Sequence, residues 1–128
     1  MLEKYGRCFI LDGHSFSSAP LPYELRQKVK RPHICLGTDA FHTPEAMVRK
    51  VELLCGSHGV ETARNRPFEG TYVPLTYWQK DPRVISLMIE IRRDCYMNEH
   101  TGTETEGFQR MRKMMVGVME VIRQEMEG

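Results

Sequence analysis

Three groups of ionisable residues in this 128-residue chain stand where their types and spacing could do chemistry. Asp12 and His14 close the apolar run Cys8-Phe9-Ile10-Leu11, and in an extended chain two residues apart share a face. A carboxylate beside an imidazole fixes its tautomer and raises its basicity, which suits proton transfer or metal ligation. The same residues also suit a polar turn, because Asp-Gly and His-Ser are common in loops. Glu90 sits inside Met88-Ile89-Glu90-Ile91, where a carboxylate carries a large desolvation cost unless it is paired. Burial there would raise its pKa toward the range useful to a general base, with an ion pair to Arg92 or Arg93 as the structural alternative. The third group is Arg64-Asn65-Arg66-Pro67-Phe68-Glu69-Gly70-Thr71-Tyr72. Two arginines on a Gly/Pro-containing loop can grip carboxylates in bidentate fashion, or simply bridge to Glu69 or Asp81 at the surface. Asp39 and His42 precede a helix start, which puts His42 near a favourable place for anions or makes it a helix-entry residue. His33, His58 and His100 read as surface or loop histidines.

The elements that must position these groups alternate between strand and helix. Cys8 to Leu11 reads as a buried strand breaking into a loop at Asp12, and Tyr23 to Val29 as a turn or two of helix. His33 to Leu36 is a short strand stopped by Gly37. Thr43 is the expected N-cap of a helix with Pro44 at its first position and Glu45 in its first turn. Met47, Val48, Val51, Leu54 and Cys55 follow at helical spacing, and Gly56 is a natural stop. Val60 to Ala63 reads as a strand and Asn65 to Pro74 as an ordered loop. Val84 to Ile91 is the strongest strand, with Ile85, Leu87, Ile89 and Ile91 on one face and Val84, Ser86, Met88 and Glu90 on the other. Apolar residues on both faces predict a central strand covered by helices. Thr103 to Glu106 forms a capping box, after which Phe108, Met111, Met115, Val118, Met119, Ile122 and Met126 mark an amphipathic helix of about 20 residues. The whole reads as one layered α/β domain over residues 1–128.

Composition narrows the function classes. Eighteen Lys and Arg against seventeen Asp and Glu leave a net charge of +1, without the basic excess of a nucleic-acid binder. A chain 41% hydrophobic and 27% charged is globular rather than disordered. It has no apolar run of about 18 residues to cross a membrane. No apolar stretch behind Met1 to Arg7 makes a secretory signal. The four cysteines contain no Cys-x-x-Cys pair and read as buried thiols of a cytoplasmic protein.

Six segments then come in a familiar order: Asp12-Gly13-His14-Ser15-Phe16, Arg31-Pro32-His33-Ile34-Cys35-Leu36-Gly37-Thr38-Asp39, Phe41-His42-Thr43-Pro44, Asn65-Arg66-Pro67-Phe68, Gly70-Thr71-Tyr72-Val73-Pro74 and Ile89-Glu90-Ile91-Arg92. Together they resemble the N-formylglutamate amidohydrolase family over nearly the whole chain. That family hydrolyses N-formyl-L-glutamate to formate and glutamate in histidine breakdown. The resemblance implies a fold similar to the zinc carboxypeptidases and aspartoacylases, a layered mixed sheet with flanking helices. In that wider group a His-x-x-Glu motif and a later His hold the metal, and a second Glu activates water. By resemblance His14 is then a metal ligand, with zinc as the metal and Asp12 behind it, and Glu90 is the general base. A substrate with two carboxylates needs cationic partners; chemical fit nominates Arg66, with Asn65, Arg64 and Tyr72 assisting and Asp39 and His42 as further candidates. Members of the family are longer, so the chain is expected to be an incomplete copy of the fold, its C-terminal half. The upstream His-x-x-Glu is missing; His42-Thr43-Pro44-Glu45 and His58-Gly59-Val60-Glu61 lie downstream, in the wrong order. Zinc should then be weakly held. The expected partners are a small N-acyl amino acid and a second copy, or a complementary chain, over the missing half. An inactive α/β module that binds a small carboxylate through Arg66 is the alternative.

Overall fold

The computed structural model describes residues 2–19, 22 and 30–127, and the helix expected over Tyr23–Val29 lies outside them. The elements in order are α1 (Leu2–Tyr5), β1 (Cys8–Phe16), β2 (Ile34–Gly37), α2 (Glu45–Ser57), β3 (Thr62–Arg64), β4 (Val84–Arg92), a 3-10 turn (Arg93–Cys95) and α3 (Gly107–Glu127). The four strands form one sheet in the order β1-β4-β2-β3. β4 pairs parallel to β1 and antiparallel to β2, and β2 pairs parallel to β3, so the sheet is mixed.

The strict alternation of β4 divides the molecule into two sides. Ile85, Leu87 and Ile89, with Ile34 and Leu36 of β2, pack against Met47, Val48, Val51 and Cys55 of α2 and Met111, Met114, Val118 and Ile122 of α3. Lys50 of α2 pairs with Glu125 near the end of α3, and Leu54 lies against Gly117, so the two helices run antiparallel. Burying this many aliphatic side chains, each worth ~1.5–3 kcal/mol, is the main force holding the helices to the sheet. The other face carries Phe16, Cys35 and Met88 with Phe68, a smaller cluster closed by the loop after β3.

The structure differs from expectation in four places. Helices cover one face of β4, not both; among the described residues α2 and α3 lie on the same side, and a loop covers part of the other. β1 does not break at Asp12 but continues to Phe16, because β4 supplies ladder partners from Asp12↔Met88 to Phe16↔Arg92. Cross-strand pairing there overrides the turn preference of Asp-Gly. Thr43 does not cap α2: its hydroxyl accepts from the Asp39 amide (2.9 Å) and donates to the Ser86 carbonyl (2.6 Å), and Pro44 takes the N-cap position. In α3 the buried stripe runs Met111-Met114-Val118-Ile122, so Met114 faces the core and Met119 is exposed.

Candidate active site

Glu90 is the centre of the second face. Parallel register sets His14 directly opposite it on β1, and antiparallel register sets Cys35 opposite it on β2. The residue is 8% exposed, and its Oε2 has no hydrogen-bond partner among the described residues. Burial holds the carboxyl above its usual pKa; His14, Arg31 and Arg93 oppose that rise and Asp12 adds to it. The two neighbouring arginines aim elsewhere. Arg92 donates to Asp94 Oδ1 and to the Arg31 carbonyl, both at 2.7 Å, and Arg93 Nε donates to Ser15 Oγ at 3.1 Å.

β1 also brings Asp12 and His14 to this face, two residues apart on one strand. Asp12 Oδ1 accepts from His14 Nε2 at 2.7 Å, and Asp12 Oδ2 accepts from the Tyr72 backbone amide at 3.0 Å. A carboxylate can only accept here, so the imidazole proton lies on Nε2 and the lone pair is presented by Nδ1. The His14 side chain is half exposed. A held imidazole beside a buried carboxylate is an arrangement for moving protons and for presenting one nitrogen to an electrophile.

The loop after β3 is anchored rather than open. Asn65, at φ +54°, accepts at Oδ1 from the amides of Thr38 and Gly70, both at 3.0 Å, and donates from Nδ2 to Thr38 Oγ1 at 2.8 Å. Its side chain is therefore a clip between β2 and the loop. Gly37 makes that clip possible, since a Cβ there would stand 2.0 Å from the Gly70 carbonyl oxygen. Tyr72 serves Asp12 through its backbone, while its ring is exposed. Ser86 Oγ donates to the Tyr72 carbonyl at 2.7 Å and bonds Thr71 Oγ1 at 2.7 Å, pinning the loop to β4.

Several residues nominated from sequence are not brought to Glu90. Arg64 belongs to the helix side, donating to Glu52 (3.0 and 2.6 Å) and Glu45 (2.7 Å) of α2, and these carboxylates raise its pKa. Asp39 accepts at Oδ1 from the amides of Phe41 and His42, a local turn. His42 is 1% exposed, with Nδ1 donating to the Val84 carbonyl (2.7 Å) and Nε2 accepting from the Gln79 amide (2.9 Å). Val84 is roughly 20 Å back along β4 from Glu90 at ~3.3 Å per residue, so His42 is structural. Arg66, unlike these, is not committed elsewhere: it is exposed and has no ion pair among the described residues. The structure adds Arg31, a guanidinium only 4% exposed, 5.6 Å from the ring centres of both Phe16 and Phe68 and donating to the Ser17 carbonyl at 2.9 Å. Its place as an Arg-Pro pair before a strand gives no local signal of burial; only the β2–β4 pairing brings it near Glu90.

A catalytic zinc takes three protein ligands and keeps a position for water. Among the described residues no group of three His, Cys, Asp or Glu side chains is placed to hold a metal, and neither His-x-x-Glu match supplies one. His14 offers one nitrogen; the described residues do not complete the site.

The molecule is thus a mixed-sheet α/β scaffold that sets a carboxylate-held imidazole opposite a buried carboxylate. A family model described as N-formylglutamate amidohydrolase matches residues 1–97, and the chain belongs to that family. The crystal structure of N-formylglutamate amidohydrolase from Ralstonia eutropha JMP134 is similar in fold, with a TM-score of 0.82 and 26% sequence identity. The likeness covers 98% of this chain and 47% of that one, so this chain spans less than half the length of that relative. No curated protein matches the chain. Among the described residues no helix is long and apolar enough to cross a membrane.

Proposed function

We propose that this chain supplies the base-bearing part of an amidohydrolase site acting on N-formyl-L-glutamate, or a related small N-acyl amino acid. The observation that carries this reading is the juxtaposition, in one register, of buried Glu90 with His14, whose ring Asp12 holds. Family membership supports the choice of substrate.

In this reading Glu90 takes a proton from the attacking water as its oxygen bonds to the formyl carbon. The same carboxyl then gives the proton to the departing nitrogen as the C–N bond breaks, releasing formate and the free amine. A carboxyl whose pKa is lifted by burial is suited to both halves of that exchange. Asp12 holds the His14 tautomer so that Nδ1 keeps its lone pair. His14 is one donor toward a divalent metal, zinc by preference, whose other ligands would come from outside the described residues. Arg66 is the cation left for a substrate carboxylate, since Arg64 and Asn65 are spent on the scaffold.

The second reading is favoured by two observations, the lack of a three-donor cluster among the described residues and the 47% coverage of the solved relative. In it the chain binds a small carboxylate through Arg66 without turnover, or works with a second copy or a complementary chain. The outer edge of β1, with exposed Leu11, Gly13 and Ser15, is the surface such a chain would pair with. Formate release from N-formyl-L-glutamate by the purified chain with added Zn²⁺ separates the two. The first reading expects turnover that Glu90→Gln abolishes; turnover surviving that change removes Glu90 as the base, and binding without turnover that Arg66→Gln abolishes supports the second.

A further inference from the structure

On the helix-covered side of the sheet, a cleft of about 320 Å³ opens between the end of α2 and the first turns of α3. That is within the size range of small-molecule sites, roughly 300–1,000 Å³. Four basic side chains border it: His33, His58, Arg110 and Lys113. Its apolar lining comes from Val60 and from Met111 and Met114, both buried. No acidic side chain lines it, and among the described residues none of the four basic groups is in an ion pair. The other basic side chains around α2 and α3 are treated differently. Arg49, Lys50, Arg64 and Arg123 each meet a carboxylate and Arg112 reaches Gln109, so among the described residues two of the three helix cations without an ion pair, Arg110 and Lys113, border this cleft.

His33 is fixed as a donor. Its Nδ1 accepts from the Glu61 backbone amide at 2.9 Å, which leaves the ring proton on Nε2. Asp94 and Glu106 line an adjoining cleft that shares His33 and Arg110 with this one, and Asp94 is held by Arg92 at 2.7 Å. We infer that the cleft bordered by His33, His58, Arg110 and Lys113 binds a small organic oxyanion, a carboxylate or phosphate monoester carrying a short apolar group. The guanidinium of Arg110, the ammonium of Lys113 and His33 Nε2–H meet the oxyanion, and half-buried Val60 and Cys95, with the edges of the two methionines, take the apolar part. The sheet separates this cleft from Glu90, so its ligand is distinct from any substrate of that face.

NMR titration of the purified chain with hexanoate, hexyl phosphate, acetate and inorganic phosphate is the test. Hexanoate or hexyl phosphate should shift the amides of His58–Val60 and Gly107–Met114 saturably, and the tighter of the two identifies the headgroup. Acetate and inorganic phosphate should bind about tenfold or more weakly than their hexyl counterparts, because they have no chain to bury against the apolar lining. Arg110→Gln combined with Lys113→Gln should weaken binding by about tenfold or more. Arg112→Gln, which removes one positive charge just outside the cleft, should leave it unaltered, as should Glu90→Gln. Absence of saturable shifts with both hexyl probes overturns the inference. So does equal weakening by Arg112→Gln, or inorganic phosphate binding as tightly as hexyl phosphate.

Discussion

Replacing Gly37 by Ala tests how the site is held. Gly37 lies in β2 without a positive φ, so an L-residue suits its backbone, and on conformational grounds alone the change should stabilise by about 0.4–1 kcal/mol. The contacts argue the opposite sign. An added Cβ would meet the Gly70 carbonyl oxygen at 2.0 Å, and Met88 Cε and Cβ at 2.6 and 2.8 Å. Met88 can turn its terminal methyl aside, but the Gly70 carbonyl is backbone, clipped by Asn65 Oδ1 through the Gly70 amide. Relief of the clash needs a loop shift of about 1 Å, and overpacking of that kind costs ~1–3 kcal/mol. The shift also carries Tyr72, whose amide holds Asp12. Chemical denaturation should therefore give a loss of about 1–3 kcal/mol for Gly37→Ala. Gly13→Ala is the control, since nothing lies within 4 Å of its added Cβ, and it should be neutral or stabilising. If both substitutions stabilise equally, the loop is not seated against β2 as described and the argument fails.

Other outcomes follow from the same geometry. Glu90→Gln should raise stability at neutral pH: the folded carboxyl holds its proton above the usual range, so its contribution is full below the unfolded pKa of ~4.3 and lost as pH rises through the folded value. Denaturation midpoints of wild type and variant should converge near pH 3.5 or below, roughly one unit under that unfolded pKa, and separate above it; separation only in acid would refute the sign. Asp12→Ala should cost about 1–3 kcal/mol, because it strands the Tyr72 amide as well as releasing His14, and Asp12→Asn should recover part of the loss in the same melt. His42→Ala should cost about 2–4 kcal/mol by leaving the Gln79 amide and Val84 carbonyl without their partner, measurable by thermal unfolding. Arg64→Met should cost only ~0.5–1.5 kcal/mol, since its pairs with Glu45 and Glu52 are partly solvated, and the loss should shrink in high salt.

What is legible in the sequence follows from how local each signal is. The alternation of Val84 to Ile91 declares the two faces of β4 without help from any other segment, and with it the burial of Glu90. The helical stripe of α3 is legible for the same reason, though Met114 and Met119 exchange places because several methionines can satisfy one apolar phase. The Asp12–His14 pairing needs only that β1 stay extended, and it does. Non-local contacts are what local patterns omit. Arg64 and Arg66 look alike in sequence, yet Arg64 closes β3 and faces α2, whereas the chain turns at Asn65 (φ +54°) and leaves Arg66 in solvent. Asp39 and Asn65 carry side chains suited to ligand binding, and both are consumed by backbone amides that only tertiary closure supplies. Arg31 gives no sign of burial until β2 is set beside β4.

The parallel pairing of β1 with β4 joins the first strand of the described sheet to its last, and that has a consequence for the order of folding. β4 can meet β2 through a somewhat shorter chain closure than the one that brings His14 to Glu90. The entropy of that closure is repaid only when the full ladder from Cys8↔Val84 to Phe16↔Arg92 has formed. β1, like β3, has one neighbour in the described sheet, so it can open without breaking any other strand pairing. The His14–Glu90 face should therefore form after β2 has met β4, and it opens when β1 alone does. On gentle denaturation, hydrogen exchange at β1 amides should rise while α2 and α3 remain protected.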